Sequence, residues 1–274
     1  MEEIVRFERV AGHLAAVPVQ LGPSIETRFV LDTGIGLNLI SSALATRIGA
    51  RRTGAIHTGQ RMSGQAVSVP LVTIPRLSMG PHHRDHVPAG ILDLAGLSAQ
   101  FGVDGFLSLQ FFESTAFTIG GPGRTIYLPQ RTPAGPGTAA SFEVPIRIDR
   151  DGPSVSAFTD LRLPNGRRAS VEIDSGSDSL ILNARFLADL GLRADAEGVR
   201  TVQGTDETGY AYTRRFARIP DPVSLWDAPS ISQRDLDVMF QEIMYDGLLG
   251  DAFLRRYDVT YDVPRSRVTF AEAP

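Results

Sequence analysis

Two short stretches of this chain end an apolar run on a carboxylate. In "FVLDTGIGLNLISS", Asp32 follows Phe29-Val30-Leu31 and precedes Thr33 and Gly34. In "VEIDSGSDSLILN", Asp174 follows Val171-Glu172-Ile173 and precedes Ser175 and Gly176. A single Asp-[Thr/Ser]-Gly triplet is ordinary turn chemistry, with the carboxylate accepting backbone N–H groups. Two triplets at matched places mean more. A repeat folded about a twofold axis brings equivalent side chains together near that axis. Two carboxylates that meet cannot both ionise comfortably, so they share a proton. The charged member can take a proton from water while the other donates to a carbonyl oxygen. That pairing suits amide hydrolysis without a covalent intermediate.

The surrounding sequence repeats with them. Sliding the chain by 142 residues lays Asp32 on Asp174 and much else in register without a gap. Ser41 falls on Asn183, and both are good helix N-caps. Leu44 and Ile48 fall on Phe186 and Leu190, apolar i,i+4 pairs that make one face of a short helix. Gly49 falls on Gly191, where a left-handed C-terminal cap is wanted. Each copy reads strand, D-[TS]-G turn, apolar strand, capped helix. A second block recurs as well, with Asp104-Gly105-Phe106-Leu107 lying over Asp246-Gly247-Leu248-Leu249. "FTIGGPGRTIYL" and "VTYDVPRSRVTF" both read as strand, turn, strand. Short helices are predicted near residues 94–101 and 236–243. Hairpin turns are predicted at Asp151-Gly152 and Asn165-Gly166. The expected class is all-β with short helices, in two related lobes. Residues 1–130 form the first lobe with the DTG motif, and residues 142–274 form the second with the DSG motif. The Pro/Gly/Ala-rich stretch at 131–141 is the linker.

These residues resemble the aspartic proteases of the pepsin and retropepsin type. "LDTG" at 31–34, "IDSG" at 173–176, "DGFLS" at 104–108 and "DGLLG" at 246–250 carry the resemblance. With two copies in one chain, it resembles a bacterial single-chain, two-lobed retropepsin-like protease more than a large secreted pepsin. The resemblance implies a bilobal acid-protease fold with pseudo-twofold symmetry and Asp32 and Asp174 as the catalytic pair. It also implies a water nucleophile, no metal or cofactor, and an extended peptide in the cleft. Thr33 and Ser175 would bond across the lobes, with Gly34, Gly176 and Ser177 completing the active-site loops. Asp178 stands where retropepsins place a substrate-binding aspartate. Pepsin-like enzymes carry a hydroxyl at the position of Ser177, donating to the neighbouring carboxylate, whereas copy one has Ile35 there. Asp174 is therefore expected to be mainly the charged partner.

Two departures stand out. Ser108 occupies the place of the family's glycine, and copy one has no flap tyrosine. Residues 57–65, with Gly64, and residues 204–212, with Tyr210, are flap candidates expected to touch substrate; plain hairpin tips are the alternative. The rival to an enzyme is a catalytically weak or inactive peptide-binding or scaffold protein on the same fold.

A net charge of -4 with 21% charged residues gives no basic surface for nucleic acid. The absence of cysteine excludes thiolate nucleophiles, disulfides and cysteine-zinc sites. No stretch approaches the roughly 20 apolar residues of a membrane helix. The first residues do not read as a secretory signal, and the compartment stays open. "HHRDH" (His82, His83, Asp85, His86) reads as a polar loop rather than a metal site. No G-x-G-x-x-G or G-x-S-x-G motif occurs. The expected partner is a peptide or protein substrate, acted on by a monomer.

Overall fold

The computed structural model describes residues 3–128, 141–205 and 210–272. Short runs of β-branched and aromatic residues, punctuated by glycine and proline, form three sheets of eight, ten and six strands. The chain is all-β and bilobal, with only short helices. Most of the predicted linker lies outside the described residues, and Ser141 already opens the strand Ser141–Pro145.

The eight-stranded sheet belongs to the N-terminal half. Its strand Ile25–Leu31 buries Phe29, Val30 and Leu31 and delivers Asp32 at its end. That strand pairs in parallel with Val103–Leu107, against which Leu39–Ser41 runs antiparallel. Leu39–Ser41 in turn pairs in parallel with the end of His82–Leu92. The C-terminal half makes the same pairings. Arg168–Ile173 lies parallel to Gly247–Leu249, Leu180–Asn183 runs antiparallel to Gly247–Leu249, and Leu180–Asn183 lies parallel to Leu236–Gln241.

The glycine of each D-G block has a steric reason. A Cβ on Gly105 would lie 2.6 Å from the Leu39 carbonyl oxygen, and one on Gly247 would lie 2.4 Å from that of Ile181. The crossing strand passes too close for any side chain. Gly247→Ala is expected to destabilise the fold by about 1–3 kcal/mol, the usual cost of forcing atoms into a packed interior. Urea unfolding measures it, and an unchanged midpoint would contradict the close approach. The aspartates of these blocks are anchors: Asp104 accepts from Thr27 Oγ1 at 2.6 Å, and Asp246 accepts from Ser170 N at 2.9 Å.

Both short helices form, but only the first has its expected cap: the N-cap of the second is Ala184, which has no side-chain capping bond, and Asn183 lies one residue before it. Ser41 Oγ accepts from Leu44 N at 3.0 Å at the head of Ser42–Arg47. Asn183 Oδ1 accepts from Arg185 N at 3.1 Å at the head of Arg185–Asp189. Gly49 and Gly191 take φ of +60° and +73°. The helix Ala95–Phe101 is present. The helix predicted near residues 236–243 is not: Leu236–Gln241 is a strand, paired in parallel with Leu180–Asn183 and antiparallel with Ala211–Ile219. The reason is chain length. In the first half the strand ends at Leu92 and the next begins at Val103, which leaves room for a helix. In the second half the strand ends at Gln241 and the next begins at Gly247, which does not.

The six-stranded sheet joins the halves. Its centre is the antiparallel pair Phe117–Gly120 and Tyr257–Asp262, with Thr118 opposite Thr260. These two residues are 142 apart and their hydroxyls meet at 2.7 Å, so the relation between the halves passes through this pair. Among the described residues no helix is long and apolar enough to cross a membrane.

Candidate active site

Strand parity sets the site. Each apolar strand ends with its aspartate against the turn of the other half, and the two carboxyls are close enough to act on each other. A Cβ on Gly34 would sit 2.4 Å from Asp174 Cγ, and one on Gly176 would sit 2.3 Å from Asp32 Oδ2. Glycine at both third positions is therefore what lets each turn pass over the opposite carboxyl. The turns are mirrored in detail. Gly34 N donates to Asp32 Oδ1 and Gly176 N to Asp174 Oδ1, each at 2.9 Å. Asp32 N and Asp174 N donate to the carbonyls of Leu107 and Leu249, so the second block holds the first in both halves.

Thr33 and Ser175 lock the turns together. Thr33 N donates to Ser175 Oγ (3.1 Å) and Ser175 N to Thr33 Oγ1 (3.0 Å). Thr33 Oγ1 donates to the Ile173 carbonyl at 2.7 Å and Ser175 Oγ to that of Leu31 at 3.2 Å. Both side chains are buried. Ser175→Ala leaves the Thr33 amide without its acceptor and is expected to cost about 1–3 kcal/mol, the penalty of an unsatisfied buried donor. A melt that matched the unsubstituted protein would refute the clamp.

Burial raises Asp32 well above the usual carboxylate range, and the nearby Asp174 charge adds to it. Asp174 is also raised by burial, but the Gly176 amide, a hydrogen bond from Asp32, the Ser177 amide and His13 all oppose this. More groups thus oppose the rise at Asp174 than at Asp32. The cause expected from sequence, the Ser177 hydroxyl, is not the one present. The Ser177 hydroxyl does not reach the Asp174 carboxylate; its contact is with the Ser179 carbonyl at 3.4 Å. The backbone amide of Ser177 acts on Asp174 instead, as that of Ile35 acts on Asp32.

Ser108 fits its place without disturbing Asp32. It is fully buried, its amide donates to Asn38 Oδ1 at 2.9 Å, and its hydroxyl accepts from Gln110 N. The retained glycine, Gly250, is under a tighter constraint, since a Cβ there would lie 2.3 Å from the Ser179 carbonyl oxygen. Asp178 is exposed, and its carbonyl accepts from Ala252 N.

Residues 57–65 form the end of the hairpin made by Arg51–Gln60 and Ala66–Met79. Gly64 takes φ of +81° at its tip, and the Met62 carbonyl accepts from Met244 N at 2.9 Å on the opposite half. The second hairpin, Arg200–Thr205 with Ala211–Ile219, has Tyr210 exposed beside its tip; residues 206–209 lie outside the described residues. In the "HHRDH" strand, the His82 ring packs edge-on against Phe111 at 4.9 Å, and burial lowers its pKa.

Two groups near the aspartates were not singled out from sequence. His13 Nε2 lies 3.1 Å from the Gly176 carbonyl, beside the buried ion pair of Arg9 with Asp251 at 2.6 Å. It stands in an ordinary turn and carries no sequence signal. Glu172 is 3% exposed and lies two residues before Asp174. Its signal was present, as a charge in an apolar run where the first copy has Val30.

No curated protein matches the chain. Residues 17–111, which carry Asp32, Thr33 and the first D-G block, match the family model described as aspartyl protease, and the match supports a likeness to the pepsin/retropepsin-like aspartic proteases.

Proposed function

We propose that the chain is an aspartic endopeptidase with Asp32 and Asp174 as its catalytic pair. The observation that carries this reading is the placing of each aspartate against the glycine of the opposite turn, Asp32 buried and Asp174 half-buried, fixed by the reciprocal bonds of Thr33 and Ser175. In the proposed mechanism a water lies between the carboxyls. Asp174 takes its proton as the oxygen attacks the peptide carbonyl, and Asp32 gives its proton to the carbonyl oxygen. A tetrahedral diol results. Its collapse breaks the C–N bond, the amine leaves with a proton from Asp174, and Asp32 regains one from a diol hydroxyl. Fixed amides around the pair hold the charge in place. The peptide lies between the lobes, taken as residues 1–130 and 142–274. The hairpins at 57–65 and 204–212 close over it, and Asp178, Gly64 and Tyr210 lie along its path. Both aspartates sit on one chain, so a monomer forms the whole site.

A peptide-binding protein that does not turn substrate over is the second reading. The Met62–Met244 hydrogen bond, which ties one hairpin tip across the cleft, favours it. A diverse peptide library incubated from about pH 3 to about pH 8, read by mass spectrometry, separates the two. Cleavage lost on Asp32→Asn supports the protease. Retention of peptides without any cleavage would sink it.

A further inference from the structure

Glu172 lies in a row of side chains that runs across the C-terminal sheet on the face of Asp174. Residues two apart on a strand share a face. Val171 and Ile173 turn into the main core, so Glu172 turns the other way. Its cross-strand neighbours on that face are Phe158 on one side and Leu248 on the other. Beyond Leu248 the row continues through Ile181, Met239 and Phe216. Leu248, Ile181 and Met239 form one apolar cluster, and Met62 of the opposite hairpin tip packs against it. Glu172 is thus the one carboxyl in an apolar wall beside the aspartate pair. Its Oε1 is buried without a hydrogen-bond partner. The matching row of the N-terminal half is apolar throughout, Ala16–Val30–Phe106–Leu39. The fold therefore does not need a carboxyl at this position. Burying one without a cation is costly, and the cost is recovered when a cation arrives.

We infer that Glu172 is a specificity-determining residue that selects a lysine or arginine side chain next to the scissile bond. The methylene stem lies along Leu248, Ile181 and Met239, and the charged head reaches the Glu172 carboxylate. Met62, a long unbranched side chain on the hairpin tip, fills this space until the hairpin lifts and breaks its bond to Met244. The charged groups facing Glu172 are few. Asp32 and Asp174 lie on the cleft side. Asp149 lies at the rim, ion-paired with Arg147, and Arg147 stacks over Phe158 at 4.1 Å. The Tyr245 phenol packs on the same cluster, and the Ser156 hydroxyl bonds the carboxyl. None of these supplies a free cation to Glu172. Its carboxyl, raised to about 8, gives up its proton when a cation binds.

This inference rests on the protease reading, and its test keeps the two apart. Paired peptides differing only in lysine against norleucine beside the cleaved bond are assayed with the unsubstituted protein, Glu172→Gln and Glu172→Val. The unsubstituted protein should prefer lysine by roughly tenfold or more in kcat/KM, and both variants should lose that preference while still cleaving the norleucine peptide. The preference should also grow as pH rises toward about 8, because ionising Glu172 then costs less. A norleucine preference in the unsubstituted protein, or an unchanged ratio in Glu172→Gln, overturns the inference while leaving the protease reading intact. If nothing is cleaved, calorimetric binding of the same pair decides. Tighter lysine binding lost in Glu172→Gln keeps the pocket and sinks the protease; equal binding sinks both.

Discussion

Asp32→Asn and Asp174→Asn should each lower kcat/KM by about 10²–10⁴-fold, the range typical of losing a positioned acid or base. One carboxyl cannot serve as base and acid in the same step, so neither substitution is spared by the other aspartate. The fold should survive both. Each asparagine keeps an oxygen to accept the amide that now meets the aspartate, from Gly34 or Gly176 at 2.9 Å. Each also removes a group whose charged form is disfavoured by burial, so melting temperature should hold or rise. Single-turnover kinetics on a cleaved peptide, beside circular dichroism, gives the answer. A variant that kept more than about a tenth of the activity would show that the two carboxyls do not act as one unit.

The largest stability effect should come from Glu172. Its pKa in the folded protein is pushed up to about 8 from the ordinary 4.5, first by burial and then by the Asp174 charge. The folded protein therefore holds this proton where the unfolded chain has lost it. The stabilisation is complete below pH 4.5 and fades as pH rises to about 8. The span corresponds to a loss on the order of 5 kcal/mol. Asp32 and Asp174 are also raised and tilt stability the same way, so the comparison must isolate Glu172. Glu172→Gln carries no titrating group. Its stability relative to the unsubstituted protein should be nearly level in acid and should grow steadily up to about pH 8. Denaturant unfolding across that range measures the divergence. Two parallel curves would mean that the Glu172 carboxyl ionises as freely when folded as when unfolded.

Much of this was legible in the sequence because the chain states its plan twice. The two D-[TS]-G turns, the D-G blocks, the Ser41 cap and the left-handed Gly49 and Gly191 all follow from local rules that one shift of register exposes, whereas the matching cap at Asn183 falls one residue early, since Ala184 takes that place. That same reliance on symmetry produced the main error. A helix was carried from residues 94–101 to 236–243, although the second half has too few residues between its strands to hold one. Ser177 failed for a different reason. A hydroxyl beside a carboxylate in sequence can turn to another acceptor, and here the Ser179 carbonyl is the nearer one. Glu172 was visible as the partner of Val30, but its meaning needed the cross-strand row, which no linear reading supplies. Nor could spacing show that the Met62 carbonyl meets the Met244 amide on the other half.

The Thr118–Thr260 pairing sets the order in which this molecule can assemble. The central sheet takes Glu3–Arg6 from one end of the described chain and Arg267–Glu272 from the other. Its middle rung joins residues 142 apart. Contacts so distant in sequence form slowly, because a long loop must close before they repay it. During synthesis the strand Tyr257–Asp262 emerges long after its partner Phe117–Gly120. Docking of Tyr257–Asp262 on Phe117–Gly120 adds a sheet across the halves to the Thr33–Ser175 bonds that join the two turns.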